Sequence, residues 1–152
     1  MLAAIRPDSW NFPLLLHVFG AMVLVGGLVT AVTALILGWR RDTAAYTRFA
    51  FWTLLVLVLP AYIVMRVGAE WIFSKENFVE GEEPDWIGIG YITADLGALL
   101  ILITLIVTGI ANRRLRSADG GTSVLARVSA VLTSIILAAY IVAMWAMSAK
   151  PG

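Results

Sequence analysis

The chain has 152 residues, 61% of them hydrophobic and only 14% charged, with a mean hydropathy of +0.90; a soluble domain is about half apolar and about a quarter charged. It contains no cysteine, which excludes disulfides, thiolate catalysis and Cys-ligated metal or iron–sulfur sites. The formal net charge of +1 is uninformative as a sum but informative in its distribution, and the length fits one domain, residues 1–152, read as a single integral membrane unit.

Four apolar runs follow one another along the chain, and they predict helices at about 12–38, 49–73, 86–111 and 124–148. Each approaches or exceeds the ~20 residues that cross ~30 Å of hydrocarbon at 1.5 Å per residue. With no water to satisfy a backbone in lipid, such segments are helices. The first run, from Phe12 to Gly38, is far longer than the roughly 7–15 residues of a signal-peptide core, so it reads as a span rather than a cleaved leader. The fold class expected is all-α, a four-transmembrane-helix bundle in up-down-up-down order.

The connectors give the direction. The first carries Arg40, Arg41 and Arg48, and the third carries Arg113, Arg114 and Arg116, with Arg127 at the start of the fourth helix. The second carries Lys75 against Glu76, Glu80, Glu82, Glu83 and Asp85. Basic short loops stay cytoplasmic, so the acidic connector and both termini are predicted outside. Trp10, Trp39, Trp71, Trp86 and Trp145 fall near span ends, as interfacial aromatic belts do. Abundant alanine and arginine with lysine only at positions 75 and 150 point to a GC-rich bacterial genome, and so to a bacterial inner membrane.

In lipid, helices pack through small residues. On helix one His17, Gly20, Leu24, Gly27, Ala31, Ala34 and Gly38 share a face, which reads as the bundle side with Leu24 as a packing knob. Helix two groups Trp52, Leu55, Leu59, Tyr62 and Arg66, with Pro60 expected to kink it. Helix three groups Gly88, Tyr91, Asp95, Ala98, Leu102, Leu105 and Gly109, and helix four groups Ala126, Ala130, Thr133, Leu137, Tyr140, Met144 and Met147. Connectors of roughly ten residues between helices one and two, and between three and four, predict antiparallel hairpins.

Ionisable residues inside spans are costly, usually paired and turned inward. His17, Arg66 and Asp95 interrupt the apolar runs here. At 1.5 Å per residue they lie roughly 7 Å, 10 Å and 13 Å below the outer boundary, with Tyr140 at roughly 12 Å. Each helix thus sends a polar residue to one outer layer. An Arg66–Asp95 ion pair is expected there, with Glu70 competing for Arg66 and with His17, Tyr62, Tyr91 and Tyr140 completing a hydrogen-bond network. Two readings stand: a fastener that fixes helix register, or a ligand site. One histidine cannot supply both axial ligands of a membrane b-type haem, although two chains could share one through paired His17 residues. Met144 and Met147 offer thioethers suited to Cu(I), but methionine stripes also simply pack.

The stretch LLLHVFGAMVLVGGL at residues 14–28 resembles the first helix of small bacterial membrane proteins in the copper-resistance D-like group and related four-helix families. The resemblance implies copper handling or haem association, carried by His17 alone. In place of the tryptophan that usually precedes the paired glycines stands Val25, before Gly26 and Gly27.

Walker, dinucleotide, nucleophile-elbow and nucleic-acid signatures are all missing from the sequence. The expected function is that of a multi-pass, non-enzymatic accessory or binding subunit, in a homo-oligomer or larger membrane complex. A small-solute or ion transport element using Arg66 and Asp95 is the first alternative, and a haem- or copper-associated redox protein is the second.

Overall fold

A computed structural model describes residues 8–76, 85–117 and 124–149. The protein is an all-α four-helix bundle. Its four helical runs, Asp8–Arg41, Ala44–Lys75, Ile87–Leu115 and Val124–Ala149, are each long and apolar enough to cross a membrane.

A 3₁₀ turn, Asp8–Trp10, leads into α1, Asn11–Arg41. Arg40 and Arg41 occupy its last turn, where cations complement the helix dipole. The helix ends at Asp42, in the left-handed region at φ 50° and ψ 45°, a conformation that aspartate tolerates better than most residues. The Asp42 and Thr43 amides both donate to the Gly38 carbonyl, Thr43 at 3.1 Å. The next run is α2, Ala44–Thr53, a π-helical turn at Leu54–Val58, and α3, Leu59–Glu76. α4 spans Asp85–Ser117 and α5 spans Val124–Ala149.

The helices exceed the apolar runs because an apolar run measures hydrocarbon, not helix. Arg48 lies within α2, and Arg113 and Arg114 lie within α4, so arginines expected in connectors are helical. The first connector is therefore only Asp42 and Thr43, not the loop of about ten residues expected. The acidic stretch 77–84 and the stretch 118–123 lie outside the described residues, as do the side chains of Trp86 and Arg116. The irregularity expected at Pro60 is found just before it, as the π turn. There the Leu59 amide donates to Leu54, five residues back. π turns occur where the α-helical ladder is locally broken.

Successive helices run antiparallel around a square. α1 packs on the second run and on α5; α4 packs on α5 and on α2. Arg127 at the start of α5 lies 5.4 Å from the Trp39 ring near the end of α1. At the opposite end Lys75 donates to the Ser9 carbonyl at 2.8 Å, and Phe12 meets Trp71 edge-on at 5.9 Å. The first of these ends is called the arginine end below, and the second the acidic end. α3 and α4 barely meet, so the seam between the second and third runs is closed at the arginine end and spread at the acidic end.

The helix-one face is as expected, with Gly20, Leu24, Gly27, Ala31, Ala34 and Gly38 all buried and Leu24 wholly so. The faces of helices two and three require correction. The second run buries Thr47, Ala50, Leu54, Val58, Ala61 and Met65 against α1, while Trp52 is exposed and Leu55, Leu59, Tyr62 and Arg66 are half-buried. α4 buries Ile87, Gly90, Ala94, Gly97, Ile101, Thr104 and Thr108, while Gly88, Asp95 and Leu102 are exposed. The expected faces are those that look at one another across the open seam. On α5, Ala126, Ala130, Thr133 and Tyr140 are buried as expected, but Met144 is exposed.

Thr47, Thr104, Thr108, Ser129 and Thr133 are wholly buried in the arginine half. Thr108 and Thr133 donate to the carbonyls of Thr104 and Ser129, each at 2.6 Å, so their hydroxyls cost little and their small size lets the helices approach.

Candidate functional site

The acidic end is organised by a close backbone-to-backbone contact between α1 and α3. A Cβ on Gly20 would lie 2.5 Å from the Met65 amide nitrogen, and one on Gly68 would lie 2.5 Å from the His17 amide nitrogen. Only glycine permits this reciprocal approach of α1 and α3. It brings His17 Nδ1 to 3.0 Å from the Met65 carbonyl oxygen. A carbonyl can only accept, so Nδ1 carries the proton and, in the neutral ring, Nε2 carries a lone pair. His17 thus fastens α1 to α3 rather than joining Arg66 and Asp95 directly.

One residue beyond Met65, Arg66 turns out of the α1 contact towards the open seam. Its Nη2 lies 3.0 Å from Glu70 Oε1 and 3.0 Å from Asp95 Oδ1. Glu70, read from the sequence as a competitor, shares the guanidinium instead. Tyr91 on α4 donates to Glu70 Oε2 at 3.4 Å, stacks edge-on with Phe73 at 5.4 Å, and holds its ring 4.7 Å below the Arg66 guanidinium carbon. These contacts bridge a seam that backbone packing leaves open.

The cluster is not buried throughout. The Arg66 side chain is 26% exposed, Glu70 50% and Asp95 65%. The reason is register: Ala94 fills the α4–α5 contact, and its neighbour Asp95 is turned about 100° away. Tyr62 packs against the core at half burial.

Tyr140 crosses from α5 to α4, and its ring tip fills the notch at Gly97, where a Cβ would lie 2.5 Å from the hydroxyl. The residue is 5% exposed, and its hydroxyl has no hydrogen-bond partner among the described residues. A buried hydroxyl without a partner forfeits its hydration for nothing. Tyr140→Phe is therefore expected to unfold no sooner than the wild type, and to gain up to about 1 kcal/mol. A mixed-micelle denaturation curve measures this, and a clear loss of stability would show a hydrogen bond that the structure lacks.

Between these groups lies a cavity of about 510 Å³, lined from all four helical runs. Arg66, His17, Tyr91, Thr93 and Ser148 are among its polar lining residues, Tyr140 lines it with its hydroxyl enclosed at Gly97, and Met22, Met65, Met144 and Met147 are among its apolar ones. Sequence reasoning placed the polar residues at one depth but missed the empty space. Gly90, Ala94 and Ala143 are among the small residues that line it, and in the sequence they read equally well as packing contacts. A second groove of about 500 Å³ lies between Phe51 and Trp52 on α2 and Leu105 to Arg113 on α4, at the arginine end.

Among the described residues no three His, Cys, Asp or Glu side chains converge as a metal site. No family model, no curated protein and no solved structure matches the chain. The functional reading therefore rests on the geometry of the bundle.

Proposed function

We propose that this is a multi-pass protein of a bacterial inner membrane, acting as a non-enzymatic binding or accessory subunit. The cavity at its acidic end holds a small ligand. The observation that carries this reading is the cavity itself: all four helices contribute to about 510 Å³ of space with a half-buried arginine in its wall. Ligand pockets fall in this size range and combine apolar walls with a few polar groups.

Membrane placement is supported by the outward-facing Phe19, Met22, Val56, Ile92, Leu96 and Ile106, all exposed in the isolated chain. A water-soluble monomer rarely shows so continuous an apolar surface. Arg40, Arg41, Arg48, Arg113, Arg114 and Arg127 gather at one end, which supports a cytoplasmic arginine end and an outward-facing cavity. Because the chain lacks cysteine, direction is directly testable. A membrane-impermeant maleimide applied to intact spheroplasts is expected to label Ser9→Cys and to leave Thr43→Cys unlabelled until lysis. The reverse pattern would place the cavity in the cytoplasm.

Binding is tested by native mass spectrometry of protein extracted from its own membrane. The wild type is expected to retain a bound small molecule that Ala143→Phe, which fills the cavity, does not. Two bare masses, from variants that melt alike, would end this reading.

A further inference from the structure

We infer that the groove at the arginine end, between α2 and α4, seats one phospholipid with a net anionic headgroup. Its phosphate lies at the arginines and an acyl chain lies along the apolar walls. This rests on the membrane placement above and not on the cavity at the acidic end, with which the groove shares no lining residue.

The walls come first. Phe51 and Trp52 line the groove from α2 and meet edge-on at 5.6 Å. Ile106 and Ile110 line it from α4. Between them a Cβ on Gly109 would lie 3.1 Å from the Phe51 ring, so the ring rests close to the bare α4 backbone. Trp52, Ile106 and Ile110 are 48%, 62% and 41% exposed. The groove therefore opens sideways onto the apolar flank of the bundle, where acyl chains of the surrounding leaflet already lie. From Leu105 to Arg113 it follows α4 for roughly 12 Å, at 1.5 Å per residue.

The charge balance comes next. Arg113 and Asn112 line the groove at its arginine end. Arg48 precedes Phe51 and Trp52 by one turn of α2, so it stands on their face, nearer the same end. Both arginines are exposed. Among the described residues this end carries Arg40, Arg41, Arg48, Arg113, Arg114 and Arg127 against the single acid Asp42. Asp42 can neutralise one arginine at most. The field at the head of the groove is therefore positive whichever arginine Asp42 meets, and it favours a headgroup with net negative charge.

The two halves together select the occupant. A soluble anion would find the charge but make no use of the apolar stretch from Phe51 to Ile106. An uncharged lipid would fill that stretch and make no use of the charge. A zwitterionic headgroup brings a cation into the same positive field. An anionic phospholipid meets both halves at once, with its polar and apolar parts in the order in which the groove presents them. Basic pockets between membrane helices bind anionic headgroups in this way. The Asn112 amide adds a donor suited to a phosphate or glycerol oxygen.

The test is titration of the full chain in detergent micelles with phosphatidylglycerol or with phosphatidylcholine of the same acyl chains, read by native mass spectrometry. One phosphatidylglycerol per chain is expected to bind tightly, well ahead of phosphatidylcholine. Arg48→Gln with Arg113→Gln should weaken it about 25-fold, the equivalent of about 1 kcal/mol for each arginine. Arg40→Gln with Arg127→Gln removes the same charge from α1 and α5, which do not line the groove, and should weaken it far less. Ile110→Trp, which fills the groove from an exposed position, should remove the tight site; if that variant melts early, the two arginine pairs decide alone. Equal binding of the two lipids overturns the anionic headgroup. Equal weakening by the two arginine pairs, or undiminished binding to a stable Ile110→Trp, overturns the assignment to this groove. If neither lipid binds, the inference fails and the cavity reading stands. A chain recovered in the soluble fraction rather than with the membranes would bring down the placement on which both depend.

Discussion

Gly20→Val is expected to cost the bundle about 3 kcal/mol, the upper part of the range for overpacking a tight contact. The cause is backbone, not side chain. A Cβ at position 20 would stand 2.5 Å from the Met65 nitrogen and 2.8 Å from its Cα, and neither can rotate away. α1 and α3 must separate, and the His17–Met65 hydrogen bond at 3.0 Å is lost with the contact. Gly68→Val should cost a similar amount, because it strikes the His17 backbone from the other side. The double variant should cost less than the two losses combined, since one separation relieves both clashes. Gly26→Val supplies the control: nothing lies within 4 Å of its would-be Cβ, so no loss is expected. Unfolding in mixed micelles of rising denaturing-detergent fraction measures all four. Equal stability of Gly20→Val and Gly26→Val would refute the interlock.

Arg66→Met is the second large effect, about 2 kcal/mol, between the values for an exposed and a buried pair, because the two carboxylates it strands are half-exposed or more. Both carboxylate oxygens lie 3.0 Å from the same nitrogen, so without Arg66 two like charges face each other within about 6 Å. Asp95→Asn or Glu70→Gln alone should cost only about 1 kcal/mol, because the remaining carboxylate still neutralises the arginine. The inequality is the informative result. If Asp95→Asn were as damaging as Arg66→Met, Glu70 would not share the charge, and the cluster would be a simple pair. Adding Asp95→Leu to Arg66→Met should recover part of the loss by removing one stranded carboxylate.

The helix count and the packing face of α1 were legible because both rest on signals that lipid does not blur: length of apolar run, and a stripe of glycine and alanine at Gly20, Gly27, Ala31, Ala34 and Gly38. The faces of the second and third runs were harder. Leu, Ile and Val occupy lipid and bundle sides alike, so hydrophobic periodicity carries little information in a membrane helix. On α4 the stripe of Gly90, Ala94, Gly97, Ile101, Thr104 and Thr108 was present in small-residue form, but Asp95 drew the assignment one position round. The Arg66–Asp95 pair was readable from charge and depth; the sharing with Glu70 was raised only as competition. The cavity was not readable, because a void is defined by what four helices fail to fill together. The π turn has no residue signature beyond the nearby Pro60.

That π turn has a mechanical consequence. It interrupts the backbone ladder at Leu54–Val58, just where the seam between the second and third runs passes from closed to open. Proline two residues later provides no amide to repair it. The second run is therefore two stiff rods joined at a compliant point. A load on α3, such as an occupant pressing on Met65 and Arg66 from the cavity, is absorbed at that joint. The arginine half stays anchored by α2, which packs on both α1 and α4.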